Sequence, residues 1–181
     1  PRDLTVAYTQ DEINSMSEED QLTALNELWR NYCISDSYEP GSTFKPITMA
    51  ACLDEGKASA NSTYVCDGGQ QVADRYIKCV ANKYGGHGAL SLGQALMVSC
   101  NDVMMQISAK LGKEKFLDYM DAFGLGRKTG IDLPGEATGT VFNNDTMHST
   151  QLATSSFGQS QTVTMVQMAA AFSAIVKVVN Y

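Results

Sequence analysis

The sequence predicts a mainly helical chain with few strands, large enough for one domain or for a large part of one. Three observations lead to this prediction. Apolar residues make up 44% and charged residues 18% of the 181 residues, which is ordinary for a globular protein. Apolar positions recur at helical spacing in several segments. The chain shows no repeats, no low-complexity segment and no clear internal boundary, so we treat residues 1–181 as one domain unit.

The first third of the chain predicts two helices separated by a turn. Residues 1–17 are polar, with one short apolar run, and are expected to be extended. Leucines at near-helical spacing predict a helix over Glu18–Tyr32. Tyr38–Gly41 predicts a turn. A second helix is expected from Ser42 to about Glu55, and it is apolar almost all round, as is typical of a helix buried in a core.

The rest of the chain predicts a loop-rich segment and then further helices. Ala58–Gly88 contains several glycines and is expected to be irregular. Ser91 and Asn101 are residue types that cap helix N-termini. Ile131–Gly139 is a turn region. Helical patterns cover four segments: Ser91–Val98, Asp102–Leu111, Lys113–Phe123 and Thr162–Val176.

Charge and hydropathy argue against several classes of partner. The net charge of −7 argues against nucleic acid or an anionic membrane surface, because either would require a basic face. No apolar run approaches the ~18 residues needed to cross a bilayer.

The chain opens on Pro1-Arg2 without a Met, so we expect it to be an excised piece of a longer protein.

The cysteines predict no metal site. No C-x-x-C pair occurs, and His87 and His148 have no ligand spacing, so we expect neither zinc nor another cofactor. Cys66 and Cys79 lie in the same irregular segment and could close a short loop in an oxidising compartment. Five separate reduced thiols are an equally good interpretation. The five residues are Cys33, Cys52, Cys66, Cys79 and Cys100.

One short motif, Ser42-Thr43-Phe44-Lys45, has the composition of a nucleophile with its own base. A serine hydroxyl is a poor nucleophile until a neighbouring base takes its proton. Residues three apart on a helix lie on the same face, and a buried lysine loses its proton more readily. The spacing alone is weak, since a turn followed by an ordinary helix start would have the same pattern.

A second motif, Ser99-Cys100-Asn101, follows 54 positions after Lys45, between two helical patterns. The hydroxyl of Ser99 could relay a proton, and the amide of Asn101 could bind a substrate carbonyl. Helix capping is the commoner role of these residue types.

The surroundings of both motifs resemble the transpeptidase domain of class B penicillin-binding proteins, in order and in approximate spacing. The resemblance implies an α/β fold of the α+β type, related to β-lactamases. In that fold a helical subdomain, largely present here, packs on an antiparallel-sheet part that is incomplete in this chain. The opening PRDL resembles the segment that leads into the domain. The matching segments are YEPGSTFKP, HGALSLGQALMVSCNDV, FGLGRKTGIDLPGEATG and SSFGQSQTVTMVQMAAAFSAI.

The resemblance also implies a function, a serine D,D-transpeptidase that cross-links peptidoglycan through an acyl-serine intermediate. Ser42 would be the nucleophile, Lys45 its base, Ser99 the proton relay and Asn101 the residue that orients the substrate amide. Expected partners are D-Ala-D-Ala stem peptides, β-lactams and a glycosyltransferase of cell-wall synthesis, but not nucleic acid. The expected location is the extracytoplasmic face of the bacterial membrane, with a membrane anchor outside this chain.

A third family motif, K-T-G or K-S-G on a core strand, is expected to be missing. Lys128-Thr129-Gly130 has the letters, but Pro134 and Gly135 follow it, which makes a poor central strand. After the last helix the chain ends at IVKVVNY, which suggests either a shortened fragment or a join across absent residues. We therefore expect this piece alone to acylate slowly or not at all.

Two alternatives share the fold. A β-lactamase or β-lactam sensor has the same serine and lysine, but Asn101 and the segment GIDLPGEATG favour the transpeptidase. A non-catalytic scaffold would keep the fold for partner binding and would form no covalent penicillin adduct.

Overall fold

Helix α6 (Asn101–Leu111) lies at the centre of the fold in the computed structural model, which describes residues 3–177. Its side chains Val103, Met104 and Ile107 are fully buried. It packs against α4 (Lys45–Asp54), α7 (Lys113–Ala122) and α8 (Ser149–Ser155). The apolar core of the domain therefore surrounds α6.

The N-terminal segment is helical rather than extended, so the expectation for residues 1–17 was wrong. A short 3-10 helix at Leu4–Val6 precedes α1 (Gln10–Ser15). Thr9 and Glu12 form a reciprocal capping box at the start of α1, which offsets the weak helix propensity of the polar run. The helix predicted over Glu18–Tyr32 is divided into α2 (Glu18–Trp29) and α3 (Tyr32–Ser35).

Three two-stranded antiparallel sheets occur within residues 3–177. Strand β1 (Ser37–Tyr38) pairs with β6 (Val163–Thr164), next to the first motif. The segment expected to be irregular contains the other two pairs, β2 (Thr63–Cys66) with β5 (Gly88–Ser91), and β3 (Gly69–Val72) with β4 (Arg75–Lys78). The α+β fold class is confirmed, with a small and incomplete sheet part.

The later helices follow the predicted pattern with shifted ends. Helix α5 (Leu92–Met97) begins at a capping box on Ser91, as predicted. Helix α6 is capped by Cys100 rather than by Asn101, which is its first residue. The last helix, α9 (Met165–Lys177), begins later than predicted because β6 precedes it. The opening Pro1–Arg2 and the ending Val178–Tyr181 lie outside the described residues.

None of the helices within residues 3–177 has the length and apolar character needed to cross a membrane.

Candidate active site

Ser42 stands on a short 3-10 helix, Gly41–Phe44, that leads directly into α4. A 3-10 helix has three residues per turn, so side chains three positions apart are aligned. The hydroxyl of Ser42 is exposed, whereas Phe44 and Lys45 are buried. The local sequence therefore presents a serine to solvent and places a lysine beneath it.

The side chains of Ser42, Lys45 and Ser99 form a closed triangle of hydrogen-bonding atoms. Nζ of Lys45 lies 2.9 Å from Oγ of Ser42 and 2.6 Å from Oγ of Ser99. The hydroxyl of Ser99 donates to Oγ of Ser42 at 2.8 Å. Nζ of Lys45 also donates to the carbonyl oxygen of Ser99 at 2.9 Å. The two sequence motifs therefore meet at one place, as their proposed roles require.

Burial makes the side-chain amine of Lys45 easier to deprotonate than that of an exposed lysine. The residue is 1% exposed, and burial lowers the pKa of its amine. The nearby sulfurs of Cys79 and Cys100 act in the opposite direction and limit the lowering of this pKa. A neutral amine has two N–H groups for the oxygens of Ser99 and one lone pair for the hydroxyl proton of Ser42. All the hydrogen bonds of the triangle can thus be made by a neutral lysine, as its expected role as a base requires.

The loop before β6 supports the turn that carries Ser42. The N–H of Gly41 donates to the carbonyl of Gly158 at 2.8 Å. Both glycines have positive φ, and a Cβ on Gly158 would meet the carbonyl oxygen of Gly41 at 2.1 Å. The carboxylate of Glu39 accepts from the N–H of Ser160 at 2.7 Å. The contact between this loop and the turn that carries Ser42 therefore depends on the close approach of two backbones.

The second motif occupies a strained turn between α5 and α6. Ser99 has φ of 53°, which is uncommon for a residue with a Cβ and is found where the surroundings hold it. Its neighbour Cys100 is fully buried. Asn101 is half-buried, and within residues 3–177 no hydrogen bond engages its side chain. Its amide is therefore free of internal partners and close in sequence to the triangle.

The K-T-G letters at 128–130 lie in a loop rather than on a core strand, as expected. The carboxylate of Glu136 accepts hydrogen bonds from the N–H of Thr129 at 2.6 Å and from its hydroxyl at 2.5 Å. It also accepts from the N–H of Gly130 at 3.3 Å. These contacts give the threonine a structural role in closing the loop.

A family model described as the penicillin binding protein transpeptidase domain matches residues 5–180. This chain belongs to that family. Stage V sporulation protein D of Bacillus subtilis (strain 168) is 42% identical over 81% of this chain and 23% of its own length. Peptidoglycan D,D-transpeptidase FtsI of Escherichia coli (strain K12) is 30% identical over 82% of this chain and 24% of its own length.

Solved structures of penicillin-binding proteins share the fold. The apo TP domain of penicillin-binding protein 3 from Burkholderia pseudomallei is 28% identical with a TM-score of 0.74, covering 80% of this chain and 43% of that one. PBP2 of Pseudomonas aeruginosa, solved with WCK 5153, has a TM-score of 0.76 at 24% identity. The match covers 86% of this chain and 38% of that one. The present chain spans about a quarter of the length of the curated relatives that it matches.

Proposed function

We propose that this chain carries the acylating part of a peptidoglycan D,D-transpeptidase. The observation that supports the proposal most strongly is the triangle of Ser42, Lys45 and Ser99, in which an exposed hydroxyl touches a buried amine. Membership of the transpeptidase family and the names of the relatives point to the same chemistry.

In the proposed reaction, the hydroxyl oxygen of Ser42 attacks the carbonyl carbon of the penultimate D-alanine of a stem peptide. Nζ of Lys45 takes the hydroxyl proton, and Ser99 passes a proton to the nitrogen of the departing D-alanine as the C–N bond breaks. An amine of a second stem peptide then attacks the ester, and Ser42 regains its proton. The amide of Asn101 orients the substrate, and the N–H of Ser42 supplies one donor for the oxyanion.

Substrate, inhibitors and setting follow from this reaction. Stem peptides ending in D-Ala-D-Ala would be the donors, and β-lactams would acylate Ser42 in their place. We also infer a place on the extracytoplasmic face of the bacterial membrane, beside a glycosyltransferase of cell-wall synthesis. The substrate carboxylate would be held by a K-T-G or K-S-G strand outside residues 1–181, since Glu136 already engages Thr129.

The alternatives differ in what becomes of the acyl-enzyme. A β-lactamase would hydrolyse it within seconds, a sensor would keep it as a signal, and a scaffold would form no adduct. The test incubates the full-length protein with a D-Ala-D-Ala stem peptide and an acceptor amine, and follows D-alanine release and the cross-linked product. We expect both products, and neither with Ser42→Ala. D-Alanine release that persists in Ser42→Ala, or rapid penicillin turnover without cross-linking, would contradict the proposal.

A further inference from the structure

Four potential metal ligands converge directly behind the second motif. Cys66, Cys79, His87 and Cys100, here called the Cys-His cluster, have ligand atoms that all lie within 4.8 Å of one another. The three cysteines are between 0% and 3% exposed, and the histidine is half-buried. No sequence pattern indicated this grouping, because its members come from separate segments of the chain and lack a C-x-x-C pair.

The spacing within the Cys-His cluster matches a tetrahedral site. Zinc bonds of about 2.3 Å to sulfur and 2.0–2.1 Å to nitrogen place two sulfurs about 3.8 Å apart, and a sulfur and a nitrogen about 3.5 Å apart. Sγ of Cys79 and Sγ of Cys100 are 3.8 Å apart. Nδ1 of His87 lies 3.5 Å from Sγ of Cys66 and 3.8 Å from Sγ of Cys79. Three of the six ligand pairs therefore lie within a few tenths of an ångström of tetrahedral spacing, and the remaining pairs lie within 4.8 Å.

The backbone around the cluster is shaped to bring these ligands together. Cys66 ends β2, Cys79 follows β4, His87 precedes β5, and Cys100 caps α6. The loop that delivers His87 passes so close to β2 that a Cβ on Gly86 would meet the carbonyl oxygen of Cys66 at 2.2 Å. The N–H of Cys79 donates to the carbonyl of Gly68 at 2.8 Å, which ties the second ligand to the same turn.

Backbone N–H groups also point to sulfurs of the cluster. The N–H of Val103 donates to Sγ of Cys100 at 3.5 Å, and Sγ of Cys66 lies close to the N–H groups of Gly68 and His87. Donors in these positions can help to stabilise the negative charge of sulfur ligands around a cation. Three buried sulfurs this close together could be charged at the same time only with a cation between them.

A disulfide does not explain the arrangement as well. No disulfide joins the cysteines within residues 3–177, and the 3.8 Å between Cys79 and Cys100 is far from an S–S bond of about 2.0 Å. A disulfide would also use only two sulfurs and would give His87 no part. Three thiolates and one imidazole in tetrahedral array are a donor set that soft-ligand metals such as zinc prefer.

We propose that the Cys-His cluster is a structural zinc site, with the sulfurs of Cys66, Cys79 and Cys100 and Nδ1 of His87 as its four ligands. Four protein ligands leave no open position, which is typical of structural rather than catalytic zinc. Binding releases the three thiol protons, so the closed site carries a net charge of −1. The zinc would tie the β2–β5 and β3–β4 pairs to the N-terminus of α6.

The zinc site would also affect acylation of Ser42. This part of the inference rests on the proposed function. Cys100 is the middle residue of Ser99-Cys100-Asn101, so a bond from its sulfur to zinc would fix the segment that holds Ser99 against Lys45. Loss of zinc should loosen this contact. A displacement of about 1 Å in a catalytic group can slow a reaction about 100-fold, which is the largest effect we expect on acylation.

The test measures metal content of the full-length protein, purified under reducing conditions without chelator. We expect one zinc per chain by elemental analysis, and none in Cys66→Ser or Cys79→Ser. Cys52→Ser is the matched control, because Cys52 is equally buried but lies outside the cluster. The control should keep its zinc.

Cobalt substitution tests the wild-type protein and does not depend on the folding of variants. Cobalt bound in place of zinc should show thiolate charge-transfer bands and the strong visible bands of a tetrahedral site. Absence of stoichiometric zinc and of these bands, or a native disulfide within the cluster found by mass spectrometry, would refute the site. Zinc binding without acylation would contradict the proposed function alone, and Ser42-dependent acylation without zinc would contradict the zinc site alone.

Discussion

The contact between Gly158 and Gly41 predicts that one added methyl group at position 158 would displace the turn that carries Ser42 and slow its acylation. In Gly158→Ala the new Cβ would meet the carbonyl oxygen of Gly41 at 2.1 Å and its nitrogen at 2.7 Å. Cβ atoms do not approach backbone atoms closer than 3.0 Å, so the two segments must separate by 3.0 − 2.1 = 0.9 Å. Such a shift weakens the 2.8 Å hydrogen bond between them and moves Ser42.

The expected effect of Gly158→Ala has two parts. One is the backbone strain of any alanine at positive φ, and the other is the loss of the contact that positions Ser42. An alanine at positive φ costs about 1–2 kcal/mol anywhere. Loss of the hydrogen bond adds about 0.5–1.5 kcal/mol. A shift of Ser42 by about 1 Å slows acylation by about 100-fold. Gly130→Ala is the matched control, because Gly130 has the same φ of 82° but nothing within 4 Å of the added Cβ.

The assay follows acylation of the full-length variants by a fluorescent penicillin, together with their thermal unfolding. We expect Gly130→Ala to lose stability but to acylate like the wild type. We expect Gly158→Ala to lose more stability and to acylate about 100-fold more slowly. Equal acylation rates for the two variants would refute the reasoning that the Gly158 loop holds Ser42 in place.

Four further predictions concern substitution of Lys45, the pH dependence of acylation, the K-T-G loop and the isolated chain. Lys45→Arg puts a permanently protonated group in place of the base, so we expect acylation to fall by about 10²–10⁴-fold; an unchanged rate would contradict this role. Because the neutral amine is the base and burial lowers its pKa, the wild-type rate should rise with pH through that pKa and then level off, as a pH–rate profile would show. Lys128→Ala should leave acylation of the full-length protein unchanged, since residues 128–130 lie in a loop. A large fall in the acylation rate would show that this segment is the third motif after all. The 181-residue chain alone should label with fluorescent penicillin slowly or not at all, and Ser42-dependent labelling at the full-length rate would overturn that expectation.

Apolar periodicity predicted the central helices because their burial is one-sided or complete. It missed α8 (Ser149–Ser155), whose sequence STQLATS is rich in residues of low helix propensity and is held by packing against α6. It also missed β2 to β5, which are four residues each. Strands β2 and β5 pair across a long intervening segment, which local sequence does not encode. Strands β3 and β4 form a hairpin, but its two-residue turn, Ala73-Asp74, lacks the glycine that usually marks such turns.

The candidate site was predictable to the extent that it is local. Ser42 and Lys45 are three positions apart, so helical geometry alone brings them together. The contact with Ser99 spans 54 positions and could be expected only through the family resemblance. The support from Gly158 was not predictable, because it depends on how closely two backbones approach.

The Cys-His cluster could not be predicted from the sequence either. Its ligands are separated by 13, 8 and 13 positions and lie at or next to the ends of four different elements. Standard zinc spacings pair ligands within one turn, so the sequence predicted no site. The fold, not the spacing, brings the three sulfurs and the imidazole together.

The central claim is that Ser42 is the residue that becomes acylated. The most direct test exposes the full-length protein to a penicillin, digests it and locates the added mass by tandem mass spectrometry. We predict one adduct, on the hydroxyl of Ser42 in the segment YEPGSTFKP. An adduct on another residue, or none at penicillin concentrations that label other penicillin-binding proteins, would contradict the account.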